Sequence, residues 1–217
     1  DAVFLGIGCQ EAQLPGYENQ DLPGVYSGIE FLRSVALGRP VALGKKVAVV
    51  GGGNTAMDAA RTAVRLGAEE VTVIYRRSRE EMPAEPIEVE EALEEGVQFL
   101  FLTNPKGFRG EAQLEALELV KMELGPPDAS GRRRPVEIPG SEYILPADTV
   151  ILALGQKVDQ KLIAQLDVEQ TRWGTFTDQP AAGVFAAGDC VTGAATVVEA
   201  VGAARAAALK IDAYLTG

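Results

Sequence analysis

An α/β fold with a parallel sheet is predicted by two features of this 217-residue sequence. The first is a strand, glycine turn, helix and strand in succession over residues 47–75, and the second is the recurrence of short apolar runs such as VILAL at 150–154. Runs of this kind are typical of strands that a parallel sheet buries on both faces. The 47% apolar content agrees with a globular protein that has a sizeable core.

The predicted strands are short runs rich in apolar residues. They are 1–8, 47–50, 71–75, 97–102, 150–155 and 183–187. Residues 105–124 alternate around Gly110 and Glu111, which predicts a hairpin. Residues 125–135, GPPDASGRRRP, are predicted to form a loop because of their proline, glycine, aspartate and serine content.

Three helices are predicted from the spacing of apolar residues and from their end signals. They are 55–66, which Gly67 ends, the acidic segment 88–95, and a long helix that begins near Thr196. In the second of these helices, Val89, Ala92 and Leu93 are predicted to face inward.

Composition excludes several functions. The net charge of −11 argues against nucleic acid as a partner, and no apolar run is long enough to suggest a membrane span. Without histidine the chain cannot host a Ser-His-Asp triad or a histidine metal site, and we predict no metal ligands in it. Cys9 and Cys190 form no C-x-x-C motif, so we predict two buried thiols and a reducing, cytoplasmic setting.

A dinucleotide turn is predicted from G-x-G-x-x-A at Gly51, Gly53 and Ala56. Gly51 permits the tight turn, Gly53 lets a pyrophosphate approach the backbone, and Ala56 lets the helix pack closely on the strand. The helix N-terminus then offers free N–H groups to the phosphates. The predicted pyrophosphate site comprises Gly51, Gly52, Gly53, Asn54, Thr55 and Ala56. A glycine turn that holds no ligand is the alternative.

Two arginines predict which dinucleotide is bound. Arg76 and Arg77 stand where a carboxylate would bind the 2′-hydroxyl of NAD, so a 2′-phosphate and hence NADP(H) is favoured. At ~1.5 kcal/mol for each contact, the pair would give roughly a hundredfold preference for NADPH over NADH. Arginines at a solvated strand end are the alternative.

Two further glycines mark the expected crossings between domains. Gly8 and Gly155 end buried strands where the chain would cross between two domains, and Gly155 is included among the cofactor-binding residues. Gly6-Ile7-Gly8 is not a dinucleotide turn, because Pro15-Gly16 interrupts the helix that should follow.

Gly188 and Asp189 follow a predicted strand, where the Asp189 carboxylate could accept from a sugar or ribityl hydroxyl. The helix that starts at Thr196 and Val197 could stabilise charge on a reduced flavin, although a purely structural Gly-Asp turn is common. The arginines at 132–134 could dock an acidic partner or a phosphate, but a solvated loop is favoured.

Three segments, VVGGGNTAMDAARTAVRLGAEEVTVIYRRSREEMPA, GRRRPVEIPGSE and VFAAGD, together resemble the small chain of bacterial glutamate synthase and its relatives. These relatives include the NADPH- and FAD-binding half of dihydropyrimidine dehydrogenase and the large subunit of NADH-dependent ferredoxin:NADP oxidoreductase. The resemblance implies a Rossmann-like NAD(P)-binding domain (12–153) inserted in a partial FAD-binding domain (1–11 and 154–217), as in thioredoxin-reductase-like flavoproteins.

The resemblance also implies the site roles and the reaction. Gly51, Gly53 and the Thr55 helix would hold pyrophosphate, the arginine pair the 2′-phosphate, Gly188 and Asp189 the FAD ribityl chain, and the backbone at 196–198 the flavin pyrimidine edge. Hydride would pass from NADPH to FAD, and electrons onward to iron-sulfur centres outside this chain, with no catalytic side chain required here.

A glutamate synthase large chain or ferredoxin is the implied partner. The first FAD fingerprint and the cluster cysteines of relatives are missing, which suggests a fragment that binds NADPH but retains little FAD. A non-catalytic dinucleotide-binding module, serving as a sensor or assembly subunit, is the alternative.

Overall fold

The computed structural model describes residues 1–127, 131, 133–166 and 168–217, which form two compact units. Residues 14–154 form one unit, called here the inserted unit. Residues 1–13 and 155–217 form the other, called here the flanking unit. The chain therefore passes between the units twice, at 13–14 and at 154–155.

The strands in chain order are β1 (Val3–Leu5), β2 (Glu11–Ala12), β3 (Val25–Ser27), β4 (Lys46–Val50), β5 (Glu70–Ile74), β6 (Gln98–Leu100), β7 (Thr103–Arg109), β8 (Ala116–Pro127), β9 (Arg133–Glu137), β10 (Tyr143–Pro146), β11 (Thr149–Leu152), β12 (Gln156–Lys157) and β13 (Val184–Ala186). The helices are α1 (Gly28–Ala36), α2 (Asn54–Arg65), α3 (Pro86–Glu94), α4 (Gln160–Ile163), α5 (Asp189–Thr192) and α6 (Val197–Thr216).

A parallel sheet of five strands, in the order β3-β11-β4-β5-β6, is the centre of the inserted unit. Side chains alternate between its two faces, as the pleat of a strand requires. Val47 and Val49 of β4 pack with α2, whereas Ala48 and Val50 join the core that Phe108 and other residues of an antiparallel sheet supply. That second sheet has the order β10-β8-β7, and β9 also pairs with β8.

The elements predicted around the glycine turn are confirmed, because β4, α2 and β5 lie within a residue of their expected bounds. The hairpin expected at 105–124 is confirmed as β7 and β8. The loop predicted for 125–135 is wrong in part, since β8 continues to Pro127 and β9 begins at Arg133. An irregular register between Leu124 and Pro127 lets this edge pairing accommodate proline and glycine. Position 132 of the arginine run lies outside the described residues.

Two burial expectations were wrong. Leu93 is 40% exposed, because α3 packs a narrow face that includes Val89 and Ala92 against the core. The buried strand expected at 1–8 is only β1, and its Val3 and Phe4 are about half exposed. Among the described residues β1 pairs with β13 alone, so no further strand of the sheet shields it.

The flanking unit is smaller and has a modest core. β1 runs parallel to β13, β2 runs antiparallel to β12, and Cys9, Ile163, Phe176, Ala186 and Cys190 are buried together. The helix α6 begins beside Thr196 as the sequence predicts, and Thr196 is its N-cap. Within this 20-residue helix Ala207 alone is buried. In the described part of the chain, no helix combines the length and apolar character that crossing a membrane requires.

Candidate dinucleotide site

The first two glycines of the turn are required by close neighbours. Gly51 has φ +144°, and a Cβ there would lie 2.3 Å from the carbonyl oxygen of Ala153. A Cβ on Gly52 would lie 2.5 Å from the ring of Tyr75. The end of β4 can therefore approach both β11 and β5 only because these two positions lack side chains.

Gly53 differs, because the space beside it is open. The nearest atom to a Cβ at Gly53 would be Cγ of Pro83, 3.9 Å away, so a ligand can approach the backbone there. Gly53 is also the N-cap of α2, and no side chain caps that helix. Within the described part of the chain, the N–H groups of Gly53, Asn54 and Thr55 donate no hydrogen bond. These features suit a pyrophosphate, which a helix N-terminus stabilises.

A short loop, 78–85, covers one side of the glycine turn. Its Ala84 N–H donates to the carbonyl of Gly52 at 3.1 Å, and its Glu85 N–H donates to Oδ1 of Asn54 at 2.8 Å. Tyr75 donates its hydroxyl to the carbonyl of Glu81 at 2.7 Å. The Asn54 side chain thus supports the loop, a role that the sequence motif did not reveal.

The loop carries its own capping box, in which Ser78 and Glu81 each accept from the other's backbone N–H. The S-x-x-E spacing of these two residues is a signal that sequence reasoning could have used.

The two arginines after β5 have different surroundings. Arg76 is exposed, whereas Arg77 is only 7% exposed and donates from Nε to the carbonyl of Arg133 at 2.8 Å. Burial raises the pKa of Tyr17, and the positive charge of nearby Arg76 opposes that rise. Arg76 is therefore the more accessible of the pair to a solvent-borne phosphate.

The glycine turn and the arginine pair come together because they follow adjacent parallel strands. β4 and β5 are paired in register from Lys46–Glu70 to Val50–Ile74, so their carboxyl ends lie side by side. Ligands of open α/β sheets bind at this edge.

The remaining predicted residues lie in the flanking unit. Gly188, with φ +79°, follows β13, and Asp189 accepts the N–H of Ala195 at 3.3 Å. Thr196 donates its N–H to Glu199 at 2.9 Å in a capping box. Gly155, with φ +112°, stands where the chain leaves the inserted unit, and its carbonyl accepts from the N–H of Gln13.

The start of α6 keeps unused backbone donors. The side chains of Val197 and Val198 are 79% and 81% exposed. Their N–H groups donate no hydrogen bond to any described residue. The Thr196–Glu199 box leaves these two donors available to an anionic or polar group.

Both thiols are buried, as predicted. Cys9 donates to the carbonyl of Asp189 at 3.2 Å, and Cys190 donates to that of Ala187 at the same distance. Burial raises the pKa of Cys9, and the charges of Asp189 and Cys190 raise it further. Such a thiol is a poor nucleophile. Over the described residues, no cluster of acidic or cysteine side chains could hold a metal ion.

The fold and these sites define a class, the two-unit α/β proteins that bind dinucleotides at the carboxyl edge of a parallel sheet. Residues 1–205 match the family described as "Pyridine nucleotide-disulphide oxidoreductase", and the chain belongs to that family.

The relatives to which the chain is similar are considerably longer. The chain is 48% identical to "NADP(+)-dependent formate dehydrogenase subunit beta" of Moorella thermoacetica, covering 99% of this chain and 32% of that protein. It is 40% identical to "Glutamate synthase [NADPH] small chain" of Escherichia coli (strain K12), covering 99% of this chain and 50% of the relative. The chain thus spans half or less of the length of these two relatives, and the predicted resemblance to the small chain is confirmed.

Solved structures agree on the fold. FprA from Mycobacterium tuberculosis (His57Gln mutant) matches with a TM-score of 0.84 at 18% identity, over 99% of this chain and 64% of that one. Thioredoxin reductase from T. acidophilum matches with a TM-score of 0.72 at 19% identity, over 100% of this chain and 66% of that one. The predicted fold class, a Rossmann-like domain in a thioredoxin-reductase-like two-domain fold, is confirmed.

Proposed function

We propose that this chain is the NADPH-binding portion of a flavoprotein oxidoreductase. The observation that carries the proposal is the open N–H cradle at Gly53, Asn54 and Thr55 beside the exposed Arg76. An anion cradle next to a guanidinium fits a dinucleotide with an additional phosphate. Relatives that are named for NADPH or NADP(+) support this assignment.

The two units would bind different cofactors. The inserted unit, predicted as 12–153, would bind NADPH through the turn at 51–56 and the arginine pair. The flanking unit, predicted as 1–11 and 154–217, would supply the C-terminal part of an FAD site, with Gly155, Gly188, Asp189, Thr196 and Val197 as its contacts. The unused N–H groups of Val197 and Val198 would suit the electron-rich edge of a flavin.

When bound, FAD would accept hydride from NADPH and pass electrons to iron-sulfur centres outside this chain. The chain itself would bind and orient the two cofactors.

A partner is proposed from the names of the relatives. Two of them are called a small chain or a subunit beta, terms that belong to assemblies of several chains. We propose a glutamate synthase large chain or ferredoxin as the partner. We also propose that the protein acts in the cytoplasm.

A non-catalytic dinucleotide sensor is the competing function. Stopped-flow measurement of flavin reduction by NADPH in the complete protein would separate the two functions.

Calorimetric titration with NADPH and NADH tests the proposal. The unaltered chain should bind NADPH more tightly, and Arg76→Ala should reduce the ratio of the two dissociation constants about tenfold. Replacing Arg76 and Arg77 together should remove the preference and leave weak NADH binding. Arg39→Ala is the control, because this exposed arginine follows α1 at the opposite edge of the sheet. An unchanged ratio in the double variant would contradict the assignment.

A further inference from the structure

The β8–β9 hairpin is fixed to the end of β5 through both of its strands. On the first strand, the N–H of Met122 donates to the carbonyl of Leu102 at 2.7 Å, and the N–H of Leu102 donates to that of Arg77 at 3.1 Å. On the second strand, the carbonyl of Arg133 accepts Nε of Arg77 at 2.8 Å. The described strands β8 and β9 therefore have a defined position beside Arg77.

A strained residue lies at this junction. Leu102 has φ +50°, a left-handed conformation that is unfavourable for a leucine. Both backbone groups of Leu102 are used, one toward Arg77 and the other toward Met122. Such a conformation persists only where contacts with the surrounding structure hold it in place. Conformations of this kind are common at binding sites.

The hairpin brings an accessible positive charge to this position. Arg133 turns back and donates to the carbonyls of Leu124 and Gly125, so its guanidinium is engaged within the hairpin. Arg134, one residue further, is exposed and makes no ion pair with any described residue. In a chain of net charge −11, an exposed arginine one residue from the Arg77–Arg133 contact is notable for anion binding.

We propose that the β8–β9 hairpin is part of the site that recognises the 2′-phosphate of the adenylate ribose. Arg134 is the second cation of that site, beside Arg76, and Arg77 is a positioning residue that holds the hairpin through the carbonyl of Arg133. This inference rests on the proposed function, and it extends the site beyond the strand, turn, helix and strand unit. The ligand class is a ribose phosphomonoester on an adenine nucleotide.

The test is calorimetric titration with 2′,5′-ADP and with 5′-AMP, which differ only in the recognised phosphate. Arg134→Ala should weaken 2′,5′-ADP binding about fivefold to tenfold and leave 5′-AMP binding unchanged. Arg77→Lys keeps the charge but removes the Nε donor, so it should cause a similar selective loss. Arg39→Ala is the control, and far-UV circular dichroism verifies that each variant is folded.

The two changes should also be non-additive, because they remove the same contribution. The dissociation constant of the double variant for 2′,5′-ADP should exceed that of the weaker-binding single variant by no more than about twofold. Full additivity would identify Arg77 and Arg134 as independent contributors and would overturn the positioning role. An unchanged nucleotide ratio in Arg134→Ala would overturn the inference, while a lowered ratio in Arg76→Ala would leave the proposed function standing. If the unaltered chain does not prefer 2′,5′-ADP, both fail.

Discussion

A methyl group at Gly52 would lie 2.5 Å from the ring of Tyr75, whereas at Gly53 the nearest atom would be 3.9 Å away. Two adjacent glycines are therefore required for different reasons. The first is needed for packing between β4 and β5, and the second leaves room for a ligand. Gly53 has φ −97°, a value that any residue can adopt, so its backbone does not require glycine.

These two glycines give a paired prediction. Gly52→Ala should lower the free energy of unfolding by about 1–3 kcal/mol, because the Tyr75 ring must shift. Gly53→Ala should leave the stability within about 0.5 kcal/mol and weaken NADPH binding by crowding the phosphates. Urea unfolding and NADPH titration of both variants provide the measurements. Equal stability losses in the two variants would contradict the open space beside Gly53, and unchanged NADPH binding by Gly53→Ala would contradict its role in ligand binding.

The two thiols give a second prediction at the residue scale. Cys9 and Cys190 are buried and donate to backbone carbonyls, so neither should react with an aromatic disulfide reagent in the folded protein. Both should react once guanidinium chloride unfolds the chain. Rapid native labelling of either thiol would contradict the observed burial.

Single residues were predictable where one motif fixes the residue type. The glycines of the turn and the arginines after β5 could be singled out because a dinucleotide motif places such residues at that spacing. The contacts of Tyr75 with Gly52 and Glu81, and of Arg77 with Arg133, could not be predicted. They depend on the three-dimensional positions of a loop and a hairpin that no local pattern specifies.

At the scale of elements, α2 and α3 are joined by a network of ion pairs. Arg61 on α2 contacts Glu88, Glu91 and Glu95 at 2.6–2.8 Å, and Arg65 adds a second contact to Glu95. The sequence predicted an acidic helix here. The sequence did not reveal that its glutamates meet arginines from the neighbouring helix.

This network predicts a pH dependence. Hydrogen bonds and charge from Arg65 and Arg61 lower the pKa of Glu95 below its ordinary value of 4.5. A carboxylate with a lowered pKa stabilises the fold fully above its unfolded pKa and loses that contribution as the pH falls through its folded pKa. Glu95→Gln should therefore be less stable than the unaltered chain at pH 7, and the difference should shrink below about pH 4.5.

Urea midpoints at pH 7 and at about pH 3 measure this effect. Glu94→Gln is the control, because Glu94 is exposed and has no ion pair in the described ranges. A difference that stays constant across this pH range would show that Glu95 is not stabilised by the arginines.

Helices and strands were predicted more accurately where their sequence pattern was more regular. The runs at 47–50 and 71–75 are uninterrupted and both proved to be strands. The ends of β8 and β9 were missed because proline and glycine normally mark loops, and here they lie at the irregular end of a paired hairpin. Burial of β1 was overestimated because an apolar run does not reveal how many strands lie beside it.

For the whole molecule, the exposed apolar surface of the flanking unit has a consequence for cofactor content. The helix α6 is apolar around most of its circumference, yet it exposes Val197, Val198 and Leu209. A helix of this character is normally buried. The flavin contacts proposed in this unit are few.

We therefore expect this chain to bind NADPH but to retain little FAD after purification. The absorbance near 450 nm, compared with the protein concentration, measures the flavin content. Added FAD should not restore a stoichiometric complex. A purified chain with nearly one flavin per molecule would contradict this expectation.

The class of fold was predictable because one strand, turn, helix and strand unit carries most of the information about the inserted unit. The division into two units is less visible in the sequence. The crossing at Gly155 is marked in the sequence only by a glycine at the end of a strand. The flanking unit is closed by the pairing of β2 with β12, which are distant in sequence. Pairing between segments that are more than 140 residues apart leaves no local signal.

A crystal structure of this chain with NADP+ tests the central claim most directly. We expect the pyrophosphate within hydrogen-bond distance of the N–H groups of Gly53, Asn54 and Thr55, and the 2′-phosphate beside Arg76 and the β8–β9 hairpin. A dinucleotide bound elsewhere, or one whose 2′-phosphate faces solvent away from Arg76, would contradict the account.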